Sequence, residues 1–152
     1  MQSFKTKAII IKRRNFLEKD RILTLFSEKF GKIDALAKGA RRPGSRLSAN
    51  SDLATIATFQ VYKTKSIDII REIEPIFHPD GLRGQFNQTQ KISFALKIVD
   101  KLFEVDEPHE RTYRSLFSLI QAISLRDSQL MFLKFLVDIL EDLGSLPSLK
   151  NC

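Results

Sequence analysis

Residues 37–46 read AKGARRPGSR, which places Lys38, Arg41, Arg42 and Arg46, two glycines and a proline in one short stretch without an acid. Ammonium and guanidinium groups on such a loop suit an extended anion. They neutralise phosphates, and glycine lets the backbone approach closely. Further cations stand nearby in sequence: Arg13, Arg14 and Lys19 in RRNFLEKD, and Lys63 and Lys65 beside Tyr62. Phe16 and Tyr62 lie among them. Either ring could stack on an unpaired base, worth about 1–3 kcal/mol, or pack the rim of the fold, and residue type leaves both readings open. The anion that fits is a nucleic-acid backbone, single-stranded in preference to duplex.

Catalytic chemistry has no comparable signal. Neither G-x-G-x-x-G nor G-x-x-x-x-G-K-[ST] occurs, and no H-E-x-x-H is present. His78 and His109 stand singly beside prolines. Cys152 is the one cysteine. It can form no internal disulfide, and a single thiolate cannot hold zinc. The acids Glu104, Asp106, Glu107 and Glu110 read as a solvated loop and helix start, where a helix dipole already favours carboxylates. The expectation is therefore a binding protein, not an enzyme, with no catalytic residue and no metal in this chain.

Charge is distributed unevenly along the 152 residues, whose net charge is +7. Through Glu72 there are 16 Lys and Arg against 7 Asp and Glu, a net of +9, and the remainder carries −2. A basic module followed by a near-neutral one is the simplest reading. Hydrophobic residues make up 43% and charged residues 28%, as in soluble globular proteins. No run approaches the roughly 18 apolar residues that span a bilayer. The N-terminal segment has an apolar centre of only Ala8–Ile11, so it is not read as a signal peptide. A reducing cytoplasm is the expected setting, with no membrane association.

Two different periods position these residues. Phe4–Lys12, Arg21–Ser27, Lys32–Lys38, Thr55–Tyr62 and Ser66–Glu72 read as short strands. Ile33, Ala35 and Ala37 alternate with Asp34 and Lys38, as on a half-buried strand. Gly31 supplies a tight turn, and Lys63–Lys65 a tight hairpin connection. Five short strands avoid exposed edges by closing into a barrel. In such an oligonucleotide-binding (OB) barrel the groove lies on strands two and three, flanked by the first and last inter-strand loops. Helical spacing then takes over: Ile92, Leu96, Val99 and Phe103, next Tyr113, Leu116, Phe117, Ile120 and Ile123, and last the apolar SQLMFLKFLVDILEDLG. Asn87 or Thr89 is expected to cap the first helix and Asp127 or Ser128 the third, with Gly144 and Pro147 stopping the latter. Lys134, Asp138, Glu141 and Asp142 mark its wet face, and the rest serves a core or a partner groove. The join falls in IEPIFHPDGLRG. The predicted architecture is α+β: a five-stranded OB barrel over residues 1–74, then an all-α domain over 75–152.

Three segments in order carry a resemblance: EKDRILTLF at 18–26 with Gly31 and Lys32, AKGARRPGSR at 37–46, and LGSLPSLKNC at 143–152. This set resembles the bacterial recombination-mediator family RecO along essentially the whole chain. The middle helices match only as apolar pattern. The resemblance implies an OB barrel and a helical domain that bind single- and double-stranded DNA and anneal complementary strands. It also implies work with RecR to load RecA onto strands coated by single-strand-binding protein. By motif match, Lys38, Arg41, Arg42 and Arg46 are the implied DNA contacts. Arg13, Arg14, Lys63 and Lys65 join them on charge and loop position alone. Glu18, Asp20 and Arg21 also match, and we expect that trio to fix a turn by internal ion pairing. Many members carry a C-x-x-C…C-x-x-C zinc module and continue for tens of residues. This sequence ends at what matches the first of those cysteines, so the helical domain reads as truncated, with zinc only if more cysteines follow Cys152. Two other functions stay open: an RNA-binding OB module, and an adapter that works through the apolar helix from Ser128 to Leu143.

Overall fold

In the computed structural model, residues 2–79, 82 and 85–144 are described. Strands β1 (Ser3–Phe16), β2 (Asp20–Ser27), β3 (Gly31–Ala37), β4 (Ile56–Tyr62) and β5 (Asp68–Phe77) close into an OB-like barrel. Its order is β1-β2-β3-β5-β4. One helical turn, α1 (Arg46–Ala49), separates β3 from β4, and helices α2 (Phe86–Leu102), α3 (Glu110–Leu125) and α4 (Gln129–Asp142) follow.

The uninterrupted apolar run Ala8–Ile11 is explained by burial on both faces of β1. Ala8 and Ile10 point into the barrel with Leu23, Leu25, Phe59 and Val61. Ile9 and Ile11 point outward and join Phe26, Ile56 and the inner faces of the helices in a second core. A strand covered on both sides reads as continuous hydrophobicity instead of alternation. The expected alternation on β3 is present: Ile33, Ala35 and Ala37 are buried while Asp34 and Lys38 are exposed.

Several expectations change. β1 continues through Arg13, Arg14 and Phe16, pairing Arg13 with Leu23 and Phe16 with Asp20. Those residues are therefore strand, and only Leu17, Glu18 and Lys19 form the turn, because hairpin partners hold the charged extension in place. β5 runs to Phe77, so Ile73–Phe77 of the expected join is strand. Pro75 is accommodated there beside an irregularity in the β4–β5 register. The β4–β5 connection covers Lys63–Ile67 and is held by Thr64, whose hydroxyl donates to the Ile67 carbonyl at 2.7 Å. Neither Asn87 nor Thr89 caps α2. Gln85 holds that position without a side-chain bond. Ser128 does cap α4, accepting from Met131 N at 3.2 Å. Gly144 follows α4 at φ +72°. Asp80, Gly81, Gly84, Pro147 and Cys152 lie outside the described residues.

Two acids expected on a wet face of α4 turn inward instead. Asp138 accepts from the half-buried Ser115 at 2.8 Å and Asp142 from the buried Thr112 at 2.5 Å, because hydroxyls turned away from water on α3 require acceptors. Only Phe135 and Ile139 of α4 are fully buried. Leu130, Leu133, Val137 and Leu140 form an exposed stripe.

The loop between α2 and α3 keeps Glu104, Asp106 and Glu107 exposed, as expected, while its backbone docks on the barrel. Val105 bridges to Lys32, and Asp106 N donates to the Lys32 carbonyl at 2.9 Å. Gly31 stands at φ +73°, and a Cβ there would collide with the Glu107 backbone. Lys32 reaches Asp100 at the end of α2, with Nζ 2.7 Å from the backbone carbonyl and 3.0 Å from the carboxylate.

Candidate nucleic-acid interface

The loop after β3 folds back onto the β1–β2 turn. At Gly39 the chain adopts φ +70°, a left-handed conformation that glycine reaches without a Cβ penalty. Its amide donates to Asp20 Oδ1 at 2.8 Å. Arg41 N then donates to the Lys19 carbonyl at 2.9 Å, and Arg41 Nη1 to the Leu17 carbonyl at 3.1 Å. Gly44 is also left-handed at φ +79° with open space around it. Both glycines serve backbone conformation here. Ser45 caps the helical turn that carries Arg46, accepting from Ser48 N.

This bracing brings two separate basic segments together. Lys19 of the first hairpin meets Arg41 of the loop, and Arg13 and Arg14 on one segment and Lys38 and Arg42 on the other flank that contact in the chain, all exposed. Lys38, Arg42 and Arg46 form no ion pair with any described residue. Arg13 differs: its Nη1 lies 2.9 Å from Asp52 Oδ1. Phe16 is 37% exposed at the end of β1, and Leu17 is 73% exposed at the tip of the turn. An aromatic and an aliphatic side chain thus stand in a field of cations.

Arg21 belongs to this cluster although the sequence hid it. Its guanidinium is held below its ordinary value, first by burial, then by Arg13, with Asp52 opposing and Arg41 adding to the fall. Nη1 donates to Ser51 Oγ at 2.8 Å. The expected ion pairing of Glu18, Asp20 and Arg21 is replaced by bonds to distant partners. Asp20 takes the Gly39 amide and Arg21 takes Ser51, and no ion pair joins the trio among the described residues. Pattern along the chain could not show this, since Ser51 is 30 residues from Arg21.

Lys63 and Lys65 sit elsewhere. Lys63 Nζ lies 5.7 Å above the ring of Phe4, at the opposite end of β1 from Arg13. Phe4 in turn contacts Phe30 of the β2–β3 turn, with centroids 4.7 Å apart. One face of Tyr62 is covered by Arg71, whose guanidinium carbon is 5.2 Å from the ring centre. The first and last loops are thus not drawn together. Between them, the outward face of β2 and β3 presents Thr24 hydrogen-bonded to Asp34 at 2.6 Å, with Ile22 and Leu36 beside it. Lys32 on that face is tied to Asp100.

The histidines are placed structurally. His78 Nε2 lies 3.4 Å from Asp52. His109 packs edge-on against Phe103 at 4.4 Å and lies 3.6 Å from both Glu107 and Asp142. Among the described residues no group of three or more His, Cys, Asp or Glu is arranged to hold a metal ion. None of the described helices is long and apolar enough to cross a membrane.

Residues 1–78 match the family model for the Recombination protein O N terminal, and residues 84–152 that for its C terminal. A DNA repair protein RecO of Desulfitobacterium hafniense is 30% identical over 152 residues, covering 100% of this chain and 56% of the relative. The corresponding protein of Acetivibrio thermocellus is 31% identical over 154 residues, covering 100% of this chain and 61% of its own length. That of Bacillus mycoides is 29% identical over 153 residues, covering 97% and 60%. The chain therefore spans less than two thirds of the length of these curated relatives. With both family models matched in order across a five-stranded barrel and its helices, the chain belongs to the RecO family.

Proposed function

We propose that this chain is a DNA-binding module of recombinational repair whose barrel holds single-stranded DNA, and duplex DNA less selectively, through Lys38, Arg41, Arg42 and Arg46 with Arg13 and Arg14 alongside. The observation that carries this reading is the bracing of AKGARRPGSR on the β1–β2 turn, which fixes the backbone and leaves Lys38, Arg42 and Arg46 without acidic partners among the described residues. Cations positioned in this way neutralise phosphates at little ordering cost, and Phe16 offers a ring to an unstacked base. Shielding two strands lowers the repulsion between them, so annealing needs no bond to be made or broken. In the cytoplasm such a module works with RecR, single-strand-binding protein and RecA, the helical half meeting the proteins while the barrel holds the strand. The chain divides for these two tasks after β5, which carries the barrel to Phe77, just beyond the expected boundary at 74/75.

Titration of single-stranded DNA against salt tests the reading. With roughly six phosphates neutralised, log K against log salt should slope at about −4, and a slope near zero would reject it. A quenched strand pair should anneal faster with the protein present, in EDTA and without ATP. Preference for RNA over single-stranded DNA would favour an RNA module instead. The exposed stripe Leu130, Leu133, Val137 and Leu140 favours a second reading, an adapter working through α4. Partner capture that survives loss of all nucleic-acid binding would support it.

A further inference from the structure

We infer that the barrel carries a second contact for single-stranded nucleic acid, formed by Lys29 and Phe30 of the β2–β3 turn with Lys63 of the β4–β5 connection. The inference rests on the nucleic-acid reading above and adds a separate footprint to it. A cavity of about 340 Å³ opens here, lined by Phe4, Lys29, Phe30, Lys63, Asp68 and Asp106 among others. Phe30 is 39% exposed although it is a large apolar side chain on a tight turn. Its inner side rests on Phe4, whose ring also carries Lys63, and its outer side faces solvent. An aromatic surface flanked by two ammonium groups is the combination that takes one unstacked base with its phosphates. The carboxylates of Asp68 and Asp106 on the same wall suit exocyclic amino groups, which are donors. Lys65 extends the charge along the connection and is exposed.

Two features keep this contact distinct from the arginine loop. Phe4 and Arg13 are separated by about 30 Å of strand at roughly 3.3 Å per residue. Between them the outward side chains Ile9 and Ile11 of β1 are buried beneath the helices. The alternative route, across β2 and β3, meets the Thr24–Asp34 pair and the apolar Ile22 and Leu36, and its two cations, Lys12 opposite Thr24 and Lys32 opposite Phe26, are both drawn to Asp100. A continuous phosphate track from one end to the other is therefore interrupted on both paths. Two short strands held at two places is an arrangement suited to bringing complementary sequences together.

Stoichiometry tests this with the full chain and a labelled oligothymidylate of about eight nucleotides, within the site size of one barrel. Wild type should bind two per chain at low salt. Arg41→Glu/Arg42→Glu and Lys29→Glu/Lys63→Glu should each retain one, and Phe30→Leu should weaken only the second site, by about tenfold. Thermal melting of each variant, unchanged from wild type, shows that the loss is not unfolding. Phe30→Leu keeps apolar bulk on Phe4 and so serves if the lysine variant melts early. A single bound oligonucleotide that only Arg41→Glu/Arg42→Glu removes would overturn the second contact while leaving the proposed function intact. A single one removed by either double variant would show one continuous track and also overturn it. Both oligonucleotides retained in Lys29→Glu/Lys63→Glu would assign the cavity to another ligand class, such as an acidic peptide. No binding of any oligonucleotide would reject both readings together.

Discussion

The two ends of β3 carry nearly the same residues and behave differently. At its start, Gly31 and Lys32 are closed in: the glycine is packed against the Glu107 backbone and the lysine is bound to Asp100. At its far end, Lys38 and Gly39 open into a loop where a Cβ on the glycine would meet the Arg42 side chain at an ordinary 3.6 Å, and whose lysine meets no described acid. Both glycines are left-handed. A lysine beside a left-handed glycine is thus a fastener at one end and an exposed group without a described acidic partner at the other. What separates the two roles is the acid or the backbone brought alongside by the rest of the fold. Cation content alone does not identify a binding surface.

The sharpest way to break this comparison is an alanine at each glycine. Gly31→Ala combines a left-handed L-residue with a backbone collision, so we expect a loss of about 3 kcal/mol or more in urea denaturation. Gly39→Ala meets only the conformational cost of about 1 kcal/mol. Equal losses would mean that the docked loop contributes nothing to the closed end.

Charge reversal at the open end should do the opposite. Arg41→Glu with Arg42→Glu is expected to weaken single-stranded DNA binding by roughly ten- to hundredfold. The melting temperature should stay within about 2 °C, because both side chains lie at the surface. Unchanged affinity in fluorescence anisotropy would remove the loop from the interface.

A smaller effect belongs to the closed end alone. Tyr113 is 3% exposed, its hydroxyl has no hydrogen-bond partner among the described residues, and burial, aided by Glu28 of the β2–β3 turn, pushes its pKa up. A folded-state pKa above the unfolded one stabilises below the unfolded value and is lost as pH rises past it. Stability should therefore fall above about pH 10. Tyr113→Phe should flatten that fall while shifting stability at pH 7 by no more than about 1 kcal/mol. Identical alkaline profiles for the two proteins would show that the ring does not titrate against folding.

Much of the architecture was legible because it rests on neighbours. Alternation along Ile33–Ala37, the turn at Gly31, the cap at Ser128 and the three helical stripes are all contacts within a few residues. Boundaries were less legible where hairpin pairing overrode local character. The charged segment Arg13–Phe16 is strand only because Asp20–Leu23 pairs with it.

Residue order by itself determined that this chain is a small β barrel followed by helices, with its positive charge in the first half and a cationic, glycine-containing loop after the third strand. Those properties depend on composition, on periods of two and 3.6, and on turn chemistry, all of which act over short distances along the chain. Only the tertiary structure decided which cations share a surface. Lys32 is consumed by Asp100, 68 residues away. Arg41 is set against Leu17 across 24 residues. Lys63 is joined to Phe4 and Phe30 at the far end of the barrel. Long-range pairings of this kind are settled by register and closure of the sheet, and no local pattern encodes them.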